Sequence, residues 1–248
     1  MVRFTRSSTG TLFVGGALGL TLAALAYPAV LGVQNVSSSP SRIVAQTSAG
    51  PLTEADRDFV VKVRAAGLWE YPVGQMAIAK GTSPAVVTAG RHLVAGHAAL
   101  DATVRRIAPQ LGVTLPNLPS PQQQGFVSTL TSDSRGTRFD SDFANILRIT
   151  HGSIFNTVAK IRSTTRNTLV RALADQANTT VLDHISVMEK TGLVNFDTVL
   201  FQETTPPKLP ASEVTPPVPV PGAPTVVLTA PPDNAFSPSA SPTGPTAG

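Results

Sequence analysis

The middle of this chain carries apolar residues at helical spacing in four long segments, separated by residues that end helices. Side chains repeated every three or four residues share one face of an α-helix, and that face must pack against another helix. The pattern predicts an all-α domain over residues 52–200, without any strand. The predicted helices cover about 53–79, 84–108, 140–163 and 166–191, with a short additional helix from 121 to about 131.

The connections between these helices predict their arrangement. Thr53 and Asp56 have the spacing of a capping box, and Pro84 suits the first turn of the second helix. The connections after the first and third helices are short, which favours antiparallel neighbours, whereas the second and third helices are separated by a long segment. We therefore expect an up-down four-helix bundle with a long crossover between its two helical hairpins.

The first 33 residues have the composition of an export signal or a membrane anchor. Arg3 and Arg6 precede an uncharged stretch of 23 residues, Thr11 to Val33, which resembles the charged and apolar regions of a signal peptide. An Ala-Leu-Ala triplet offers a cleavage site, but the uncut stretch is long enough to span a bilayer. The sequence predicts an extracytoplasmic protein, either secreted or membrane-anchored, with a linker over residues 34–51.

The other end of the chain is rich in proline. Of the 22 prolines, 13 lie between Glu203 and Gly248. Proline at this density interrupts helices and central strands, and the sparse charge and few aromatic residues give the segment little to pack. Residues 201–248 are therefore predicted to be a disordered tail. It could serve as a spacer, or bind a protein partner in the cell envelope, or have no selected role.

Composition excludes several classes of function. The chain has no cysteine, so thiolate chemistry and cysteine-based metal sites are excluded. Without Arg3 and Arg6 the remainder carries 17 basic and 15 acidic residues, which is too balanced to indicate a nucleic-acid partner. No phosphate-binding loop or known hydrolase motif is present.

Each of the four predicted helices places one metal-competent side chain on its apolar face. At about 1.5 Å rise per residue, the two candidates within each hairpin differ in height by only about 6 to 8 Å. Carboxylate and imidazole together suit a transition metal such as Fe, Mn, Zn or Cu. The alternative is a polar layer in which the carboxylate accepts hydrogen bonds from the histidines. The four candidates are Glu70, His97, His151 and His184.

The pattern favours binding over catalysis. A ferritin-type dinuclear centre needs Glu-x-x-His on two helices, yet Val94, Arg148 and Val181 precede the three histidines by three positions. One Glu and three His would nearly complete the coordination of a single ion, so an enzyme is the less favoured interpretation. His92 points away from His97 on a helical wheel and is expected at a boundary between helices.

Residues 56–192 resemble the exported bacterial domain-of-unknown-function 4142 family, which is considered ferritin-like. The similarity is carried by Glu70 with Gly74 and Ala77 in the first helix and by one histidine in each later helix. The family commonly has Asp before the histidines of the second and third helices, where this chain has Gly96 and Thr150. The resemblance implies a helical bundle outside the cytoplasm and no established reaction. Two hypotheses follow, a metal-binding protein and a structural or protein-interaction module of the cell envelope.

Overall fold

The computed structural model describes residues 42–230, and the predicted signal or anchor over residues 1–33 lies outside them. Within that range, no helix combines the length and the apolar character needed to cross a membrane. The elements are, in chain order, β1 (Ile43–Thr47), β2 (Gly50–Thr53), α1 (Glu54–Lys80), α2 (Pro84–Leu111), α3 (Pro121–Ser132), α4 (Thr137–Thr164), α5 (Thr168–Glu189), α6 (Phe196–Thr204) and α7 (Ala211–Val214).

Four long helices form the predicted bundle. Helices α1 and α2 make one antiparallel hairpin, and α4 and α5 make the other. The hairpins pack through α2 against α5 and through α1 against α4, while the crossover helix α3 lies against α1 and α4. The prediction of an all-α four-helix bundle with a long crossover is confirmed.

Local capping accounts for the ends of these helices. Thr53 accepts a hydrogen bond from the Asp56 amide, and Asp56 accepts one from the Thr53 amide, which completes the predicted capping box. Gly112 ends α2 in the left-handed conformation, with φ of 65°. Helix α4 begins at Thr137, three residues before the predicted start at Asp140. Asp140 is instead buried and accepts hydrogen bonds from Thr82 and Ser83 in the α1–α2 turn.

Two glycines let α1 and α2 approach closely. A Cβ on Gly74 would lie 2.8 Å from the Gly90 carbonyl oxygen, and a Cβ on Gly90 would lie 2.7 Å from the Gly74 carbonyl oxygen. Any side chain at either position would therefore separate the two backbones. This contact fixes the height of α1 relative to α2.

The apolar interior consists of two clusters. One lies at the end of the bundle where β1 and β2 are found and includes Phe59, Val104 and Leu173. The other lies towards the opposite end and includes Trp69 and Phe143. The four metal-competent side chains lie along their helices at heights between these clusters, and all four are buried.

A short β-hairpin corrects two predictions, that no strand would form and that residues 34–51 would be a linker. Strands β1 and β2 pair antiparallel, with Gly50 at φ 109° where the chain turns. The Asn167 side chain donates hydrogen bonds to Thr47 and to the Gly50 carbonyl, and this attaches the hairpin to the start of α5. A pairing this short leaves too little periodicity to be read from the sequence.

The proline-rich tail was predicted to be disordered, but up to residue 230 it has defined structure and contacts the bundle. It contains α7, and residues 224–229, called the strap below, lie against α1 and α2. Bundle side chains hydrogen-bond to main-chain atoms of the strap, which supply the partners that a proline-rich segment cannot find within itself. Those contacts join Arg64 to the Val226 carbonyl, Asn117 to both Pro224 and Val226, Tyr71 to the Thr229 carbonyl, and Asp101 to the Leu228 amide.

Candidate metal centre

Four side chains from four helices converge inside the bundle. Glu70 comes from α1, His97 from α2, His151 from α4 and His184 from α5. Each offers one ligand atom, and these four atoms all lie within 4.8 Å of one another. All four predicted ligands therefore meet in one cluster, as the spacing along the helices indicated.

The glutamate lies at the centre of the contacts. Glu70 Oε2 is 2.8 Å from His97 Nε2 and 3.1 Å from His151 Nε2. His151 Nε2 is in turn 2.9 Å from His184 Nδ1. One carboxylate oxygen and three imidazole nitrogens thus face a common point.

Main-chain carbonyls fix the orientation of two of the three rings. His151 Nδ1 donates to the Leu147 carbonyl at 2.7 Å, and His184 Nε2 donates to the His92 carbonyl at 3.1 Å. In a neutral imidazole the nitrogen that carries no hydrogen presents a lone pair. The inward nitrogens of both rings are therefore the ones able to bind a metal ion, and the outer nitrogens are held as the partners of ligand histidines usually hold them.

This arrangement requires a cation between the rings. If His151 and His184 were both neutral, two lone pairs would face each other across 2.9 Å with no hydrogen between them. Either a proton on His151 or a metal ion can satisfy both. A polar layer of hydrogen bonds, the alternative to a metal site, satisfies this pair when His151 is protonated, because its Nε2–H then faces both Glu70 and His184.

The electrostatics favour a shared positive charge. Burial raises the pKa of Glu70, but the charges of His151 and His97 and their hydrogen bonds outweigh it and hold the pKa well below its ordinary value. Burial lowers the pKa of His151, yet the Glu70 carboxylate more than offsets this and the pKa is raised. Burial, with His151 and His97, lowers the pKa of His184 strongly. Without a metal, these shifts favour an ionised Glu70 and a proton on His151 rather than on His184.

His97 differs from the other two histidines. Its Nδ1 is buried and has no hydrogen-bond partner among residues 42–230. A buried nitrogen without a partner is costly. His97 is therefore held in the cluster through Nε2 alone.

The donor set could hold a metal ion. A tetrahedral ion with ligand bonds of about 2.0–2.1 Å separates neighbouring ligand atoms by about 3.3 Å. The three shortest contacts, at 2.8 to 3.1 Å, would have to lengthen slightly to reach that spacing, while the most distant ligand atoms of the group, up to 4.8 Å apart, would have to move closer. The ion would replace the proton of His151, and the carboxylate would balance part of its charge.

A cavity lies beside the cluster on the side of Glu70. A space of about 840 Å³ between α1, α3, α4 and the segment 202–216 has Glu70 in its wall, together with the apolar side chains of Trp69, Phe126 and Ile146. Glu70 is the member of the cluster that borders this space.

Gly96 makes room for His184, and filling that room is expected to weaken metal binding. A Cβ at position 96 would lie 2.6 Å from His184 Nε2 and 2.8 Å from Thr180 Cγ2. In a Gly96→Ala variant the ring must leave the His92 carbonyl, so we expect metal affinity to fall about 10- to 100-fold. Competition with a chromophoric chelator measures the change.

Gly152→Ala is the matched control for that prediction. Gly152 adjoins the ligand His151, but an added Cβ there meets only the ends of the Glu203 and Arg148 side chains, which can move aside. Its affinity should stay within about threefold of the wild type. Equal affinity in both alanine variants would contradict the role assigned to Gly96.

One feature near the cluster was not predicted. Asp101 is buried and paired with a fully buried Arg64. The sequence does contain an indication, since Arg64 falls within the apolar register of α1. His92 lies at a helix boundary as expected, where its side chain contacts the exposed Asp183 at 2.7 Å.

Residues 42–190 match the family described as domain of unknown function (DUF4142). No curated protein and no solved structure matches the chain. The matched range contains all four residues of the cluster and covers more than half of the sequence. The chain therefore belongs to the DUF4142 family.

Proposed function

We propose that this protein binds one divalent transition-metal ion through Glu70, His97, His151 and His184. The observation that carries the proposal is the facing pair of ring nitrogens on His151 and His184, 2.9 Å apart, whose outer nitrogens are both committed to carbonyls. Such a pair is built to hold a cation. With three imidazoles and one carboxylate, the site suits Zn, Cu, Fe or Mn.

The role that fits this coordination is binding rather than turnover. Four protein ligands leave no obvious open position on a tetrahedral ion, which is typical of structural or storage sites. The cavity beside Glu70 favours access by a small molecule. A reaction at the ion would require one ligand, or the helix that carries it, to move.

The proposal includes the location of the protein. Arg3, Arg6 and the uncharged stretch from Thr11 to Val33 support export, with the bundle in the cell envelope or secreted. If the stretch is not cleaved, its partner is the lipid bilayer. The proline-rich tail is a candidate binding segment for another protein of the cell envelope. Such binding would be the function of the chain if it is an interaction module without a metal.

Elemental analysis of the untagged full-length chain tests the proposal. We expect close to one ion per chain in the wild type and almost none in a Glu70→Ala, His151→Ala double variant, because two of four ligands are lost. His92→Ala is the control, since His92 is the remaining histidine and its side chain lies outside the cluster. It should retain the ion.

Two results would overturn the proposal. One is wild-type protein that contains no metal and takes up none of Fe, Mn, Zn or Cu when these are added. The other is metal that stays bound in the double variant, which would place the ion elsewhere.

A further inference from the structure

The strap ends next to the metal cluster. Leu228 is 8 % exposed, and among residues 205–230 it is the one buried side chain. Its neighbour Val227 is 56 % exposed. The strap thus directs a single apolar side chain into the bundle surface.

Leu228 fills the space left by a glycine beside His97. A Cβ on Gly67 would lie 3.0 Å from Leu228 Cδ1 and 3.8 Å from His97 Nδ1. The strap side chain and the imidazole therefore lie around the same gap in α1. Leu228 closes this gap with a methyl group, which can neither donate nor accept a hydrogen bond.

The strap is held by contacts to its main chain. Asn117 both donates to the Pro224 carbonyl and accepts from the Val226 amide. Arg64 donates to the Val226 carbonyl at 2.8 Å, and the Leu228 amide donates to Asp101 at 3.1 Å. None of these contacts involves one of the four candidate ligands.

The state of His97 Nδ1 connects the strap to the ion. Once Nε2 of a neutral histidine binds a metal, Nδ1 carries the hydrogen, and the ion makes this N–H a stronger donor. Ligand histidines almost always donate that hydrogen to a partner. His151 and His184 have such partners in Leu147 and His92, whereas His97 has none within residues 42–230.

We propose that the strap opposes metal binding by excluding water from His97 Nδ1. With the strap in place, Leu228 excludes the water that would accept the Nδ1 hydrogen of a metal-bound His97. With the strap released, water enters through the gap at Gly67 and completes the partners of the third ligand. The inference rests on the proposed metal site and adds a regulatory segment to it, so that a partner that binds the released strap more tightly than the docked strap promotes loading of the ion.

Coupling of this kind is reciprocal. If release of the strap tightens metal binding by some factor, metal binding must loosen the strap by the same factor. The outer partner of a ligand histidine typically changes metal affinity by 10- to 100-fold. We expect the lower end of this range, about tenfold, because a water is a weaker partner than a fixed carbonyl.

A pair of serine variants of the full-length chain tests the inference with Zn²⁺ as the probe. Leu228→Ser admits water beside His97 and should lower the Zn²⁺ dissociation constant about tenfold in competition with a chelator. Val227→Ser makes the same kind of change on the exposed side of the strap and should leave the constant unchanged. Hydrogen exchange of the wild-type Leu228 amide should become about tenfold faster when Zn²⁺ is bound.

The outcomes separate this inference from the proposed function. A wild-type chain that binds no Zn²⁺ overturns both. If Zn²⁺ binds to the four ligands but Leu228→Ser binds no more tightly than Val227→Ser, the strap inference alone fails. Slower exchange of the Leu228 amide with Zn²⁺ would also overturn it, since it would make the strap a lid that the ion closes.

Discussion

Replacing Asp101 with alanine is expected to lower the free energy of unfolding by about 3–5 kcal/mol, the cost of leaving a buried charge without its partner. Asp101 Oδ1 accepts from Arg64 Nη1, and both side chains are almost wholly buried. Burial lowers the pKa of Arg64, and the charge and hydrogen bond of Asp101 offset this only in part. Arginine nevertheless keeps its charge in proteins. Without Asp101 that charge retains only carbonyl partners, from Pro116 and Val226.

The matched control is Asp175→Ala, which also removes the carboxylate partner of an arginine. Asp175 pairs with Arg162, but the two side chains are 55 % and 47 % exposed, and such pairs contribute about 0–1 kcal/mol. Urea denaturation of the two variants measures the difference. If both lose the same amount, the buried pair contributes no more than a surface pair.

Metal binding is expected to stabilise the fold by about 4 kcal/mol when the free ion is at a thousandfold excess over its dissociation constant. The reason is that the four ligands meet only in the folded bundle, so the unfolded chain binds the ion weakly. For a protein of this size, the melting temperature should rise by about 10 °C. Calorimetry with Zn²⁺ and then with excess chelator gives both values.

The Glu70→Ala, His151→Ala variant controls for effects of the ion elsewhere on the protein. It should melt at the same temperature with and without Zn²⁺. A shift of about 10 °C in that variant would mean that the stabilisation does not come from the cluster.

Regular geometry is what made the Glu/His cluster predictable from the sequence. The rise of an α-helix is constant, so counting residues from each hairpin turn was enough to place Glu70 within about 6 to 8 Å of the height of His97, and His151 within the same range of His184. The same reasoning gave the capping box at Thr53. These features depend on local periodicity, which tertiary structure preserves.

Contacts between distant segments were not predictable in this way. Asp101 pairs with Arg64 from the neighbouring helix, and neither the charge nor the spacing of Asp101 distinguishes it from a surface acid. The strap has no periodicity, and its hydrogen-bond partners are bundle side chains more than 100 positions away, as with Asn117 and Pro224. Composition indicated that residues 201–248 cannot form a core of their own. It did not indicate that side chains of the bundle domain would bind the main chain of the strap.

The division of the ligands between two hairpins has a consequence for how the chain reaches its final structure. Glu70 and His97 are 27 positions apart and are already aligned by the Gly74–Gly90 contact, and His151 and His184 are 33 positions apart. Each half-site can thus form early from local sequence, while the complete site exists only after the hairpins dock. For the proposed metal site, the rate of ion uptake during folding would therefore report the last step of assembly, the meeting of two preformed halves.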